Sequence, residues 1–122
     1  MPKISVYIVS HNYGRYVEEA INSVLYQSID DWELLLFDDG SSDNTYEILA
    51  KFENYCRVRV FRTEGLGLQK ICNIAVKEAR GKYIIRLDGD DVFEPDILLV
   101  LSNHLDRNPK VGLVFPDYYL CS

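Results

Sequence analysis

The sequence predicts an α/β fold with a mostly parallel sheet and helices on both faces. Short apolar segments rich in β-branched residues alternate along the chain with segments whose apolar residues recur every three or four positions. This alternation is typical of parallel strands joined by right-handed helical crossovers, a Rossmann-like arrangement. The 122 residues are enough for one domain with a hydrophobic core.

Three strands and two helices are predicted in the first half of the chain. The strands cover residues 4–9, 32–37 and 58–62, where apolar and β-branched side chains dominate. A helix is predicted over residues 15–27, and a second helix follows the polar segment 38–45, which is rich in capping residues. The residues predicted to form the buried faces of these two helices are Val17, Ala20, Ile21, Val24, Leu25, Ile48, Leu49 and Phe52.

The second half of the chain continues the alternation. A helix over residues 68–79 has the most regular apolar periodicity, and Gly81 stands where a glycine commonly ends a helix. A strand is predicted at 83–87, and Pro95 suits the first turn of the next helix. A fifth strand is predicted at 111–115. The residues predicted to be buried by the two helices are Leu68, Ile71, Cys72, Ala75, Val76, Ala79, Ile97, Leu98, Leu101 and Leu105.

The charge balance restricts the class of partner. Thirteen Lys and Arg residues stand against nineteen Asp and Glu residues, which gives a net charge of -6. A nucleic-acid-binding protein needs a basic face, so the sequence argues against nucleic acid as a partner. A phosphorylated small molecule is compatible with this charge if a metal ion supplies the positive charge.

Cysteine usage and the length of the apolar runs indicate a cytoplasmic protein. The three cysteines, Cys56, Cys72 and Cys121, have no CxxC spacing, so we expect buried reduced thiols rather than disulfides or a zinc site. A strand is predicted directly after the first residues, so we expect no signal peptide. No apolar run is long enough to span a bilayer. We therefore expect no membrane span in this chain, although a longer protein containing it is compatible with membrane association.

Polar clusters follow three of the predicted strands. They cover residues 10–12, 38–43 and 88–91. Ligands of parallel α/β sheets bind in the crevice outside the carboxyl ends of the strands. The three clusters are therefore predicted to converge on one binding crevice.

Three carboxylates fall within four positions in the segment 88–91. Like charges this close repel one another, and a bound cation relieves the repulsion. Oxygen-only ligands select a hard ion, Mg²⁺ or Mn²⁺, which also bridges substrate phosphates. We expect Gly89 to let the backbone turn so that Asp88 and Asp90 face the same way. The alternative is a solvated acidic turn that caps the following helix, and this role is favoured for Asp91.

Asp38 and Asp39 end another predicted buried strand. Either carboxylate is suited to accept a hydrogen bond from a nucleobase N–H or a ribose hydroxyl, and turn or helix capping is the alternative. Arg62 and Lys70 are candidates for base or phosphate contact and equally for solvated surface charge.

Three other side chains have a favoured role that needs no ligand. Arg86 lies inside a predicted strand, where a charge needs a partner, so an ion pair with one of the acids is favoured. His11 is suited to donate to a phosphate, but an ordinary surface loop position is favoured. Tyr13 is suited to stack on a base, but packing is favoured.

Together these segments resemble the N-terminal, nucleotide-binding half of family 2 glycosyltransferases with the A-type fold. They follow one another in the family's order and cover most of the chain. The matching residues are 4–13, 20–28, 32–34, 38–45 and 81–91, followed by Pro95.

The resemblance implies a role for the polar residues at the strand ends. Asp39 would accept from the base, usually uracil, helped by the backbone of residues 9–11. Asp88 would contact the ribose or the metal-bound diphosphate. Asp90 would be the principal ligand of a Mn²⁺ or Mg²⁺ cofactor. The predicted nucleotide-binding residues are Val9, Ser10, His11, Asp38, Asp39, Lys70 and Asp88, and the predicted metal ligands are Asp90 and Asp88.

The resemblance also implies a reaction. A sugar would pass with inversion from a nucleotide diphosphate sugar, a uridine diphosphate sugar by preference, to the hydroxyl of a sugar or glycolipid acceptor. The divalent ion would neutralise the charge that develops on the leaving diphosphate. The acceptor-binding half and the general base, an Asp or Glu, are expected beyond Ser122. Residues 1–122 are thus expected to form the nucleotide-sugar-binding part of a longer domain.

Three other functions fit parts of the pattern. A non-catalytic sugar-nucleotide-binding module of a larger synthase is the main alternative, because the general base is expected outside the chain. A phospho-acceptor receiver domain has its acids after the first and third strands, whereas here they follow the second and fourth. A nucleotidyltransferase prefers a glycine-rich, basic loop after its first strand, which residues 10–13 do not resemble.

Overall fold

A computed structural model describes residues 2–89 and 92–107 and contains a four-stranded sheet in the order β3-β2-β1-β4. Its neighbouring strands are all parallel, which confirms the predicted α/β fold. The fifth strand predicted at 111–115 lies outside the described residues. The elements are β1 (Ile4–Ser10), α1 (Val17–Leu25), β2 (Trp32–Asp39), α2 (Thr45–Ala50), β3 (Val58–Thr63), α3 (Leu68–Glu78), β4 (Tyr83–Asp88) and α4 (Ile97–Arg107).

Helices cover both faces of the sheet, as predicted. On one face, called the α1 face below, the helices α1, α2 and α4 pack against alternate strand residues. On the opposite face, called the α3 face, α3 packs through Ile71 and Ala75. Successive strand residues alternate between the two faces. Buried strand residues on the α1 face include Ile4, Val6, Ile8, Leu34, Leu36, Ile85 and Leu87, and those on the α3 face include Tyr7, Leu35 and Phe37.

The apolar periodicity of α3 predicted more burial than the helix has. Ile71 and Ala75 are buried, but Leu68 is 44% exposed and Val76 is 55% exposed. In the described part of the chain, no other helix contributes buried residues to the α3 face. No neighbouring helix therefore covers the flanks of α3. The predicted inward face of α4, in contrast, is confirmed over Ile97–Leu105, with all four predicted residues buried.

Gly81 has a different role from the predicted end of a helix. α3 ends at Glu78, and Gly81 lies against β1 with its N–H donating to Ser5 Oγ at 2.8 Å. A Cβ at Gly81 would lie 2.7 Å from the backbone nitrogen of Ser5 and 2.8 Å from the carbonyl carbon of Ile4. Glycine is thus required here because the chain entering β4 passes directly over β1.

The two described cysteines form no disulfide, and the predicted burial is wrong for Cys56. Cys56 and Cys72 are free cysteines, Cys56 is exposed, and Cys72 is partly buried. Tyr7 Oη donates to the Cys72 sulfur at 3.3 Å. Cys121 lies outside the described residues. A cytoplasmic location stays a prediction.

The helices are short. The longest, α3 and α4, have 11 residues each. A helix needs about 20 apolar residues to span a bilayer. Within residues 2–89 and 92–107, no helix is long and apolar enough to cross a membrane.

A buried carboxylate ties β1, β2 and the entrance to β4 together. Glu33 is 6% exposed and accepts from Ser5 Oγ at 2.6 Å, from the Arg80 N–H at 2.6 Å and from Arg59 Nη2 at 3.1 Å. Burial disfavours the charged form of Glu33, but these hydrogen bonds outweigh burial and hold the pKa of Glu33 below its usual range.

This network predicts an acid-sensitive contribution to stability. A carboxyl group whose pKa is lowered by folding stabilises the fold above its unfolded pKa, about 4.3 for Glu, and loses that contribution as the pH falls through the folded pKa. We expect Glu33→Gln to flatten the fall in the free energy of unfolding below about pH 4, measured by urea unfolding across pH. Glu78→Gln is the matched control, because the Glu78 carboxylate also pairs with Arg59 but is 42% exposed. Equal pH profiles for the wild type and Glu33→Gln would contradict this assignment.

Candidate functional site

An open cleft of about 340 Å³ lies at the carboxyl ends of β1, β2 and β4. The cleft opens on the α3 face, where the amino end of α3 forms one wall. The three polar clusters predicted to converge each contribute a residue, so that prediction is confirmed for the described residues. The cleft is lined by Val9, His11, Tyr13, Asp39, Leu68 and Asp88.

Strand alternation divides the predicted site residues between two sides of the sheet. Val9 and Asp39 lie on the α3 face and line the cleft. Ser10 and Asp38 are register partners on neighbouring strands, both fully buried on the opposite, α1 face. Asp38 accepts from the Ser41 N–H at 3.2 Å, which ties down the turn after β2. The position of the Asp38 side chain therefore does not support its predicted contact with a nucleotide, and the predicted backbone contact of Ser10 stays a prediction.

Two buried oxygens remain on the α1 face of these strand ends. Among the described residues, Ser10 Oγ and Asp38 Oδ2 have no hydrogen-bond partner. The nearest cation to Asp38 Oδ2 is Arg62 Nε at 3.9 Å, and the Arg62 guanidinium lies over the Tyr46 ring at 4.5 Å. Arg62 thus interacts with its own chain.

Asp39 binds the loop between β3 and α3, which comprises residues 64–67. Its Oδ1 accepts from Thr63 Oγ1 at 2.7 Å and from the Leu66 N–H at 2.8 Å, and its Oδ2 accepts from the Gly67 N–H at 3.0 Å. Gly67 has a φ of 88°, in the left-handed region that glycine adopts without strain. The carboxylate therefore holds the amino end of α3 against the cleft.

The same contacts keep Asp39 ionised. Burial disfavours its charged form, but the N–H of Gly67, the hydroxyl of Thr63 and the N–H groups of Leu66 and Gly65 outweigh burial and lower the pKa of Asp39. Asp39 is thus an ionised acceptor on the cleft wall at neutral pH.

His11 is oriented by the backbone of β2. Its Nδ1 lies 2.7 Å from the Asp39 carbonyl oxygen. A carbonyl oxygen only accepts, so the hydrogen is assigned to Nδ1. The other ring nitrogen, Nε2, lies 3.5 Å from Asn12 Nδ2. His11 therefore reaches a ligand through Nε2, which donates to a phosphate only when the ring is protonated.

Asn12 clamps the two loops that frame the cleft, a role that the sequence analysis missed. It has a φ of 59°, a left-handed conformation that Asn tolerates better than most residues. Its N–H donates to Ser41 Oγ at 2.8 Å, and its Oδ1 accepts from the Ser42 N–H at 2.8 Å and the Asp43 N–H at 3.3 Å. Asp43 Oδ2 in turn accepts from the Gly14 N–H at 3.1 Å.

The sequence and this geometry agree with one protein family. The family model described as Glycosyl transferase family 2 matches residues 5–121. The chain belongs to glycosyl transferase family 2. The match includes every residue that lines the cleft.

Relatives of this family 2 chain include much longer synthases. The chain is 34% identical over 116 residues to the chondroitin synthase of Escherichia coli. This alignment covers 94% of the chain and 17% of the synthase. The chain thus spans less than a fifth of that relative.

Solved structures of glycosyltransferases share the fold. Residues 1–349 of TarS from S. aureus, in complex with UDP-GlcNAc, superimpose with a TM-score of 0.78 at 29% sequence identity, covering 86% of this chain and 31% of that one. The mannosyltransferase PcManGT from Pyrobaculum calidifontis, in complex with GDP-Man and Mn²⁺, gives a TM-score of 0.73 at 20% identity, covering 85% and 31%. The second likeness concerns the fold alone.

The described part of the acidic motif in this family 2 chain is Asp88 and Gly89. Asp88 lies on the cleft with its side chain 40% exposed, and its Oδ1 is 3.4 Å from Arg86 Nε. The predicted ion pair of Arg86 with an acid is therefore confirmed. The predicted turn at Gly89 that aligns Asp88 with Asp90 stays a prediction, because Asp90 lies outside the described residues. A Cβ at Gly89 would lie 2.7 Å from the Tyr13 ring and 2.9 Å from Ser10 Oγ.

The predicted metal ion is supported by one described ligand. Asp88 offers a carboxylate oxygen on the cleft wall, the donor type that Mg²⁺ and Mn²⁺ prefer. Within residues 2–89 and 92–107, no group of three or more His, Cys, Asp or Glu side chains is placed to hold a metal. Asp90, the predicted principal ligand, and Asp91, the predicted cap, lie outside the described residues. Asp88 fits a hard divalent ion, and the role of Asp90 stays a prediction.

Lys70 stands apart from the cleft lining. It is exposed on the first turn of α3, two residues after Leu68, which does line the cleft. Its contact with a phosphate stays a prediction.

A second cavity of about 340 Å³ lies at the opposite, amino-terminal end of the strands. Its lining includes Arg59 and Glu33, which pair with each other. Arg57, also in the lining, lies over the Trp32 ring at 4.3 Å. Ligands of parallel α/β sheets bind outside the carboxyl ends of the strands, so the cleft at those ends is the better candidate site.

Proposed function

We propose that this chain is the donor-binding half of a metal-dependent glycosyltransferase. The reaction is transfer of a sugar, with inversion, from a uridine diphosphate sugar to the hydroxyl of a sugar or glycolipid acceptor. The observation that carries the proposal is that Asp39 and Asp88 share one cleft at the carboxyl ends of parallel strands in a family 2 chain. The likeness to TarS bound to UDP-GlcNAc supports uridine as the nucleoside.

Asp39 and Asp88 are suited to different parts of the nucleotide. Asp39 is an oriented, ionised acceptor, suited to a nucleobase N–H. Asp88, on β4, is suited to the ribose or to a metal-bound diphosphate. Val9 lies between them, because β1 pairs with both β2 and β4. His11 contributes Nε2 at the rim of the same cleft.

The divalent ion would be held by Asp88 and Asp90. Two carboxylates and the diphosphate make an oxygen-only ligand set, which Mg²⁺ and Mn²⁺ prefer. When bound, the ion neutralises the negative charge that develops on the leaving diphosphate. Arg86 balances the charge of Asp88 in the arrangement described above.

The general base would lie in the part of a longer protein that this chain does not include. An inverting transfer needs a base that activates the acceptor hydroxyl on the side opposite the leaving diphosphate. The chain spans 17% of the chondroitin synthase and 31% of the TarS fragment, which leaves ample length for that half.

The decisive experiment is calorimetric titration of the protein with UDP in Mn²⁺ and in EDTA. We expect EDTA to weaken binding at least about tenfold, because the diphosphate then lacks the divalent ion that would link it to Asp88 and Asp90. We expect Asp90→Ala to cause a similar loss in Mn²⁺. Asp91→Ala is the matched control and should bind like the wild type. Equal affinity with and without EDTA, or an unchanged affinity in Asp90→Ala, would refute the metal assignment.

A further inference from the structure

The carboxylate of Asp39 has little acceptor capacity left for a ligand. A carboxylate offers about four lone-pair positions, two on each oxygen. Oδ1 already accepts from Thr63 Oγ1 at 2.7 Å and the Leu66 N–H at 2.8 Å. Oδ2 accepts from the Gly67 N–H at 3.0 Å. These three hydrogen bonds of 3.0 Å or less fill three positions and leave one on Oδ2. The Gly65 N–H, which also favours the charged carboxylate, makes no hydrogen bond of this length to it.

Bases differ in how many donors they present side by side. Uracil presents a single N3–H between two carbonyl groups. Guanine presents N1–H and an exocyclic N2–H together, a pair that fits both oxygens of a carboxylate at once. A single open acceptor position satisfies the uracil N3–H but leaves one guanine donor without a partner on the carboxylate, which lowers the relative affinity for guanine.

We propose that Thr63 is a specificity-determining residue that makes this site select uracil over guanine. Thr63 Oγ1 fills one acceptor position of Asp39 Oδ1. The N–H groups of Leu66 and Gly67 fix the rotation of the carboxylate about the Cβ–Cγ bond. Only the Oδ2 position then accepts from a base, and guanine does not find a bidentate partner. This inference rests on the proposed nucleotide site and adds the chemical basis of its base selection.

The fold alone does not determine this selection. PcManGT shares the fold with a TM-score of 0.73 and is bound to GDP-Man. Base choice therefore depends on local contacts rather than on the arrangement of strands, and in this chain the contacts that restrain Asp39 come from β3 and the loop after it.

The test is the ratio of UDP to GDP affinity, measured by calorimetry in Mn²⁺ for the wild type and two variants. In the wild type we expect UDP to bind at least about tenfold more tightly than GDP. Thr63→Val keeps the side-chain shape and removes the hydroxyl, which opens one acceptor position on Oδ1 beside the open position on Oδ2. We expect the ratio to fall at least about threefold in this variant. Thr63→Ser restores the hydroxyl and should restore the ratio.

The outcomes separate this inference from the proposed function. If the wild type binds neither nucleotide, the proposed function fails and this inference fails with it. If it binds GDP as tightly as UDP, the nucleotide site stands and uracil selection is refuted. If the ratio is the same in Thr63→Val, in a protein whose thermal unfolding shows that it is folded, Thr63 does not set the selection.

Discussion

Replacing Asp39 by alanine is expected to weaken UDP binding by about 100-fold and to lower the free energy of unfolding by about 2 kcal/mol. The first effect arises because the variant lacks the acceptor for the base. The second arises because Thr63, Leu66 and Gly67 lose the carboxylate that they share. Calorimetry with UDP in Mn²⁺ measures the first effect, and urea unfolding without ligand measures the second.

Asparagine substitutions separate these two effects. Asp39→Asn keeps one carbonyl oxygen for the loop donors, so it should retain more stability than Asp39→Ala. Its amide lacks the negative charge and offers donors where a carboxylate offers acceptors, so UDP binding should still be lost. Asp38→Asn is the matched control, because Asp38 is fully buried on the α1 face and Asp39 lies on the cleft. We expect UDP affinity within about threefold of the wild type in Asp38→Asn.

The same pair of substitutions also tests whether Asp39, and not Asp38, contacts the base. An Asp38→Asn variant that folds but loses UDP, beside an Asp39→Asn variant that still binds it, would show that the base contacts the other aspartate. Loss of UDP in both variants without a change in unfolding would show that the nucleotide needs both carboxylates.

The strand ends illustrate how much of the site was predictable from the sequence. Apolar, β-branched runs identify all four described strands, and the polar residues after them indicate one binding edge. The predicted strands were each one or two residues too short at this edge, because Ser10, Asp39 and Asp88 are polar yet still belong to the ladder. The consecutive pair Asp38 and Asp39 was treated as two candidates. Strand alternation allows at most one of them to face the cleft.

The contacts that orient the cleft were not predictable in the same way. Asp39 reaches Thr63 across 24 positions, and Asn12 reaches Ser42 across 30. Such contacts depend on how parallel neighbours place their loops side by side, and they leave no period in the sequence. A polar Asn in a turn is common, and only its left-handed backbone and its bonds to the facing loop distinguish Asn12 as a clamp.

The burial of α3 was overestimated for a related reason. Helical periodicity indicates which residues share a face, but the width of the face that is covered depends on the neighbouring elements. Ile71 and Ala75 point at the sheet, whereas Leu68 and Val76 lie on flanks without a helix beside them in the described structure. The apolar periodicity of the sequence therefore predicts the helix, whereas tertiary packing determines how wide its buried face is.

Gly81→Ala is expected to lower the free energy of unfolding by about 3 kcal/mol, a large share of the stability of a domain of this size. The added Cβ would lie 2.7 Å from the Ser5 nitrogen and 2.8 Å from the Ile4 carbonyl carbon. Both are backbone atoms of the central strand β1, which pairs with β2 and β4. To relieve these close contacts, β4 would have to move away from β1 as a unit. Such a movement would also lengthen the hydrogen bond from the Gly81 N–H to Ser5 Oγ, the hydroxyl that donates to Glu33.

Gly14→Ala is the matched control for this prediction. A Cβ at Gly14 would meet the side-chain ends of Asn44 and Asp43, which are exposed and able to turn away. We expect this change to cost less than about 1 kcal/mol in the same urea unfolding experiment. If the two alanine variants are equally stable, the close approach of Gly81 to β1 is not what requires glycine there. A loss confined to Gly81→Ala would instead locate the constraint in the close backbone contact between Gly81 and β1.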